Sequence, residues 1–182
     1  MANGKWITYS ERIMVNGERK IILIAHNLRS THNVGSLLRT AEGLGVEKVF
    51  LTGYSPYPLL ERDTRLPYLA QKIHKQISKT ALGAETMVNW RHHEDIDEVV
   101  KELKNAGFTI AALEQATGAV SLPDFEPPRK LAMIVGREVE GIEPVVLAQV
   151  DLAVHIPMFG QKESFNVVQA AAMALYHCRF SN

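Results

Sequence analysis

The sequence has few features that would indicate secretion, membrane insertion or covalent cross-linking. It has one cysteine among 182 residues, Cys178, so no disulfide can form within the chain. A lone thiol is typical of proteins from a reducing compartment. The first residues lack the apolar core of a signal peptide, and no apolar run approaches the roughly 18 residues that a membrane helix needs. We therefore expect a cytosolic protein.

Several common active-site motifs are also absent. The chain has no G-x-S-x-G for an acyl-transfer serine and no G-x-G-x-x-G for a dinucleotide. Gly136 and Gly141 have the spacing of a phosphate loop, but Ile142 follows where that loop needs lysine. Residues 92–94 (His-His-Glu) lack further ligands at typical spacing, so we expect an exposed polar segment there and no metal.

The net charge of +0 argues at first against a nucleic-acid partner, but the charge is unevenly distributed. Residues 1–39 hold six basic and two acidic side chains, a net +4, which leaves −4 for the rest. A local basic patch can bind phosphates even when the whole protein is neutral. Composition alone favours an ordinary solvated surface.

Strand-like and helix-like segments alternate along the chain. Residues 21–25 form a short β-branched apolar run typical of a buried strand, and a helix and a second strand at 48–52 complete a strand–helix–strand unit. Further strands are predicted at 86–90, 108–113, 131–135 and 152–156, and further helices at 68–82, 95–106, 144–150 and 165–179. This alternation predicts an α/β domain with a largely parallel sheet flanked by helices. The last helix is apolar nearly all round, so we expect it in the core or against a partner chain.

Three polar clusters follow predicted strands, at residues 33–39, 136–141 and 156–166. In parallel α/β sheets, ligands bind at the carboxyl ends of the strands. Each cluster alone has a structural explanation, since Asn33 can cap a helix and Arg39 can lie on a helix surface. Their joint occurrence at three strand ends favours a binding site.

These clusters resemble the three motifs of the SpoU methyltransferases. Residues 33–41 (Asn-Val-Gly-Ser-Leu-Leu-Arg-Thr-Ala) resemble motif one, and residues 134–142 (Ile-Val-Gly-Arg-Glu-Val-Glu-Gly-Ile) resemble motif two. Motif three is matched by Ile-Pro-Met at 156–158 and Glu-Ser-Phe-Asn-Val at 163–167. Order and separation also match, and the resemblance covers about residues 21–178. The family differs at Arg137 to Val139 and usually has leucine where Phe165 stands, which affects the adenine pocket.

The resemblance implies a methyl transfer from S-adenosylmethionine to a ribose 2′-hydroxyl of RNA. It also implies a homodimer and a deep trefoil knot in the C-terminal half, with the cofactor bent inside the knot. By position it assigns cofactor binding to Leu113, Gly136, Ile156 and Phe165.

The resemblance assigns the chemistry to five residues, namely Arg39, Asn33, Glu138, Ser164 and Asn166. A guanidinium stays protonated, with a pKa above roughly 12. Arg39 is therefore either the literal base of the family description or a fixed charge that stabilises the developing alkoxide. The two asparagines and Ser164 can orient groups by hydrogen bonds. Three roles are open for Glu138. It anchors Asn33 or Arg39, it balances the positive charge of the sulfonium, or it only holds its own loop in place.

The position of Asn33 relative to Arg39 gives a geometric expectation. Six residues separate them, which on one helix is roughly 120° short of two turns. The two side chains can converge only if Asn33 lies in the loop or cap before the helix.

We expect residues 1–20 to be a short basic extension and residues 21–182 to be the methyltransferase domain. Arg12, Arg19 and Lys20 are the expected phosphate contacts. The short extension leaves no room for a large recognition domain, which favours tRNA over rRNA as substrate. Two alternatives stay open: a knotted methyltransferase acting on a base nitrogen, and an RNA-binding module of the same fold without catalysis.

Overall fold

A parallel sheet forms the centre of the protein in the computed structural model, which describes residues 19–137 and 139–181. Within these residues it has seven strands in the order β3-β2-β1-β6-β4-β7-β5, and every neighbouring pair is parallel. The strands are β1 Lys20–His26, β2 Lys48–Thr52, β3 Trp90–His93, β4 Thr109–Leu113, β5 Val120–Ser121, β6 Lys130–Val135 and β7 Leu152–His155. Strand β1 lies centrally, with Leu23 opposite Val49 of β2 and Met133 of β6.

Helices cover both faces of the sheet. They are α1 Thr31–Gly43, α2 Pro67–Ala81, α3 Ala84–Met87, α4 Ile96–Asn105, α5 Pro144–Leu147 and α6 Val167–Phe180, with a 3-10 turn at Leu122–Asp124. One apolar cluster lies between the sheet and α1, α2 and α6, and a second lies under α4 and α5. None of the helices in the described ranges is long and apolar enough to cross a membrane.

The predicted strand–helix–strand unit is confirmed as β1, α1 and β2. Helix α1 buries Val34, Leu37, Leu38 and Ala41, and the chain turns after it at Gly45, whose φ is +62°. Helix α2 packs closely on α1 at Gly35, because a Cβ there would collide with Ile77 O and Thr80 Oγ1.

The prediction of a strand at residues 86–90 is wrong. Helix α3 occupies Ala84–Met87, and the strand begins at Trp90, opposite Val49 of β2. The indole of Trp90 donates a hydrogen bond to Glu85 O at 2.8 Å, which joins the two elements. Residues 92 and 93, expected in a polar segment, are the end of this edge strand.

Two arginines connect the start of β1 with the end of α6. Arg19 Nη1 donates to Cys178 O at 2.5 Å and to Ser181 O at 3.2 Å. Arg179 donates from Nη1 to Arg19 O at 2.9 Å and from Nη2 to Gly45 O at 2.7 Å. These contacts lie at the amino edge of the sheet, where β1 begins.

Candidate active site

A cavity of about 180 Å³ opens at the carboxyl ends of β4, β6 and β7. Three chain segments meet there, one after each strand. The lining residues are Leu113, Glu114, Gln115, Val135, Gly136, Arg137, Val139, Glu140, Gly141, His155, Ile156, Met158, Ser164, Phe165, Val167 and Ala170. The structure therefore brings together the four predicted cofactor residues, Leu113, Gly136, Ile156 and Phe165, and places Ser164 beside them.

The segment after β6 is a tight loop held by its own backbone. Arg137 and Gly141 exchange two backbone hydrogen bonds of 3.2 Å each, and Gly141 has φ +69°. A Cβ on Gly136 would lie 2.6 Å from Ile142 Cγ1 and 2.8 Å from Gly141 O. Glycine at 136 is therefore required by the loop itself, before any ligand is considered.

Two residues that follow β4 fix the surrounding loops, and neither is among the predicted site residues. Glu114 accepts hydrogen bonds from the backbone N–H of Ile142 and of Gln115, each at 2.9 Å. Gln115 Nε2 donates to Glu163 O at 2.5 Å, in the segment after β7. Their position directly after a predicted strand was the signal that could have identified them.

A buried polar network joins the end of β1 to the far side of the same loop. Asn27, which has φ +54°, donates from Nδ2 to His26 Nε2 at 3.0 Å and to Glu143 Oε1 at 2.8 Å. His26 Nε2 also lies 3.3 Å from Glu143 Oε2, and His26 Nδ1 lies 2.9 Å from Thr52 Oγ1, so the tautomer of the ring sets which of its nitrogens donates. Burial lowers the pKa of His26 below its ordinary value, which keeps the imidazole neutral.

Motifs one and three meet at the rim of the site. Asn166 Nδ2 donates to Asn33 Oδ1 at 3.5 Å, a long hydrogen bond. The expectation that Asn33 precedes or caps its helix is wrong, because Ser30 is the N-cap and its hydroxyl accepts from Asn33 N. Asn33 therefore lies inside the first turn of α1.

Arg39 lies apart from this cluster. It is exposed on α1, it does not line the cavity, and it has no hydrogen bond or ion pair to any described residue. Since both Asn33 and Arg39 are helical, their six-residue separation places them on different faces of α1.

Of the expected RNA contacts, Arg19 and Lys20 do not lie near the cavity. Arg12 and the expected catalytic Glu138 are outside the described residues. Arg19 donates from its guanidinium to carbonyl groups at the end of α6, at the amino edge of the sheet. Lys20 begins β1, lies 3.9 Å from Glu47, and is separated from the carboxyl edge by a strand of roughly 20 Å.

The cavity is lined by apolar and polar side chains in similar measure, together with two glycines. It is smaller than the roughly 300–1,000 Å³ typical of ligand pockets, so a nucleoside-sized ligand would extend to its mouth. Val139 is 87% and Phe165 is 40% exposed at that mouth, which leaves apolar surface for such a ligand. No cluster of three metal-binding side chains occurs in the described part of the chain.

A second cavity, of about 460 Å³, lies beyond the ends of β2 and β3. Tyr57 stacks on His92 with 4.0 Å between ring centroids, and the Arg65 guanidinium lies 3.6 Å over the centre of the Tyr57 ring. Asp63 accepts from Arg65 Nε at 2.8 Å and from Nη2 at 2.5 Å. Both faces of Tyr57 are thus already occupied, so this cavity has no free stacking surface on that ring.

The comparisons with known proteins agree with one another. The SpoU rRNA Methylase family matches residues 20–176. A TrmH family tRNA/rRNA methyltransferase of Staphylococcus aureus is 29% identical over 155 residues, 85% of this chain and 56% of that protein. The tRNA (guanosine(18)-2′-O)-methyltransferase of Escherichia coli is 29% identical over 148 residues, 81% of this chain and 58% of that protein. The chain thus spans a little over half the length of these relatives.

Solved structures show the same fold. AviRb of Streptomyces viridochromogenes, a SpoU methyltransferase crystallised with AdoMet, has a TM-score of 0.72 at 21% identity, covering 90% of this chain and 58% of its own. A protein described for the 2-OH methylation of C/U34 on tRNA has a TM-score of 0.70 at 23% identity, covering 89% of this chain and 95% of its own.

Proposed function

Because this chain belongs to the SpoU rRNA Methylase family, we propose that it transfers a methyl group from S-adenosylmethionine to a ribose 2′-hydroxyl of RNA. The observation that carries the proposal is the cavity at the carboxyl edge, where all four expected cofactor residues meet.

In this proposal S-adenosylmethionine binds between the loops that follow β4, β6 and β7. AviRb, which shares the fold, was crystallised with AdoMet. Leu113, Ile156 and Phe165 supply apolar walls and Gly136 lets the backbone approach, while the cofactor supplies an electrophilic methyl group. We propose that these segments also form the trefoil knot, with the 156–166 segment passing beside the loop that Glu114 fixes.

The chain's own residues then have to bring a hydroxyl to that methyl group and lower the cost of its deprotonation. Ser164 lines the cavity, and Asn166 and Asn33 meet at its rim, so all three can orient a ribose. We assign Arg39 the role of a fixed positive charge that stabilises the developing alkoxide. Glu138 is expected to anchor Arg39.

Arg39 is exposed and outside its own chain's cavity, which is explained if a second copy of the chain completes the site. A homodimer through α6 is part of the proposal. Tyr176 and Phe180 support it, because this aromatic pair (ring centroids 4.6 Å apart) is 60% and 55% exposed on a helix that is otherwise largely apolar.

We propose tRNA as the substrate, methylated in the cytoplasm by residues 21–182 with residues 1–20, including Arg12, as a basic extension. The support is the similarly sized protein described for tRNA methylation, of which this chain covers 95%. The tRNA methyltransferase of Escherichia coli points the same way.

The test is methyl transfer from labelled S-adenosylmethionine to bulk tRNA and to ribosomal RNA, followed by nucleoside analysis. We expect a 2′-O-methylnucleoside from tRNA. A base-methylated nucleoside would favour the related base-nitrogen enzymes instead. RNA binding without any methylated product would favour a binding module.

A further inference from the structure

Helix α2 carries its positive charge on one side, here called the lysine face, formed by Lys72, Lys75 and Lys79. Their spacing of three and four residues places them above one another on the helix. All three are exposed, and α2 contains no acidic residue. Tyr68, one turn before Lys72, extends the face and is 77% exposed. The opposite side of α2 is buried in the core.

The lysine face has no ion-pair partner among the described residues. In the ranges that the structure describes, none of the three lysines forms an ion pair, whereas Lys20 lies close to Glu47 and Lys104 to Asp151. Three unpaired ammonium groups on one side of a neutral protein produce a local positive potential that attracts anions.

The lysine face lies beside the proposed active site, at the carboxyl edge of the sheet. Thr80, next to Lys79, donates from Oγ1 to His32 O at 2.9 Å, at the start of α1. The neighbouring Asn33 accepts from Asn166 at the rim of the cavity. A chain of direct contacts therefore joins the end of the lysine face to the proposed active site.

We propose that the lysine face binds the phosphate backbone of the RNA substrate, with Tyr68 as a surface on which an unpaired base stacks. This rests on the proposed function. Lys72 and Lys79 are about 10 Å apart along the helix, a length over which one nucleic-acid strand presents more than one phosphate, since each nucleotide advances roughly 3.4 Å along a duplex axis. Repeated anions at such intervals are characteristic of nucleic acid.

The test measures the salt dependence of tRNA binding by the full chain and by a Lys72→Gln, Lys75→Gln, Lys79→Gln variant. We expect the slope of log affinity against log salt to fall by about two to three in magnitude, close to one per lost phosphate contact. Cofactor affinity and thermal unfolding should not change. The matched control replaces Lys48, Lys101 and Lys104 with glutamine, which removes the same charge elsewhere, and should leave the slope unchanged.

A cross-linking experiment gives an independent readout. Burial raises the pKa of the Cys178 thiol to about 12, so that thiol is unreactive and a Lys75→Cys variant offers one accessible thiol. A photo-cross-linker on residue 75 should attach to tRNA, and one on a Lys101→Cys variant should not.

The outcomes separate the two proposals. If the wild-type chain neither binds nor methylates RNA, the proposed function fails and this inference fails with it. If the wild type does both, but the lysine-face variant keeps its salt slope or residue 75 gives no cross-link, the inference alone is overturned.

Discussion

The carboxylate of Glu114 accepts a hydrogen bond from the backbone N–H of Ile142 at 2.9 Å. Gly141 packs against the same group so closely that a Cβ at position 141 would collide with it. A side chain at the end of β4 thus sets the position of the loop that closes the cavity from the other side.

Replacing Glu114 with alanine should therefore weaken cofactor binding. Hydrogen bonds to a charged group contribute about 1.5–3 kcal/mol, so we expect S-adenosylmethionine to bind about tenfold more weakly or worse. Calorimetric titration measures this directly. Glu126→Ala, an exposed carboxylate on another loop, is the control and should bind as the wild type does. Equal affinity of the two variants would contradict the role of Glu114.

Arg39→Ala should slow the chemical step without changing cofactor affinity. Loss of a preorganised electrostatic group costs about 10²-fold or more, measured as single-turnover methyl transfer at saturating tRNA. Arg39→Lys should recover part of the rate if charge is what matters, because lysine keeps the charge but loses the planar fork. Arg91→Ala controls for loss of an exposed arginine. Wild-type turnover by Arg39→Ala would remove this residue from the mechanism.

Tyr176→Glu combined with Phe180→Glu should convert the proposed dimer into a monomer, since two buried carboxylates would face each other across the interface. Light scattering should then report one chain of 20.3 kDa. Met87→Glu, also at an exposed apolar position, should leave the dimer intact. A wild-type monomer at micromolar concentration would rule out the assembly.

The loop around Asp63 should lose stability in acid. Its hydrogen bonds from Arg65 hold the pKa of Asp63 well below its usual range. A lowered carboxylate pKa stabilises the fold above the ordinary value of about 3.9, and this contribution is lost as the pH falls below it. The Asp63→Asn variant should thus have a lower free energy of unfolding than the wild type at pH 7, but it should lose less of that free energy on acidification. Urea unfolding of both proteins at pH 7 and pH 3 measures these changes. An equal loss of stability in the two proteins would contradict the prediction.

The sequence predicts the strand–helix alternation and the residues of the cavity well, because both follow from local patterns. Apolar periodicity identifies β1 and α1, and three motifs at strand ends identify the site. The position of Glu114 directly after a strand marks it as a candidate site residue, but its contact with the loop after β6 could not be predicted in this way. Its partner Ile142 is 28 residues away, and only the folded sheet brings them together.

Other features depend on the fold in the same way, among them a contact of Arg19 and two predictions that are wrong. Arg19 belongs to a basic segment by composition, but its guanidinium binds a carbonyl group 159 residues later in the chain. The strand at 86–90 was misplaced because the pairing of Trp90 with Val49 depends on register with β2 rather than on local propensity. Asn33 was expected at a cap position that Ser30 occupies.

The contact between Arg19 and Arg179 has a topological consequence. It places the start of β1 and the end of α6 side by side, so a short covalent bridge there would close residues 19–181 into a ring. In such a ring the proposed knot would be permanent, because denaturant could unfold the chain but no free end could pass back through the loop. If the open chain loses the proposed knot through a free end on unfolding, it has to rethread that end to refold, so the ring should refold faster.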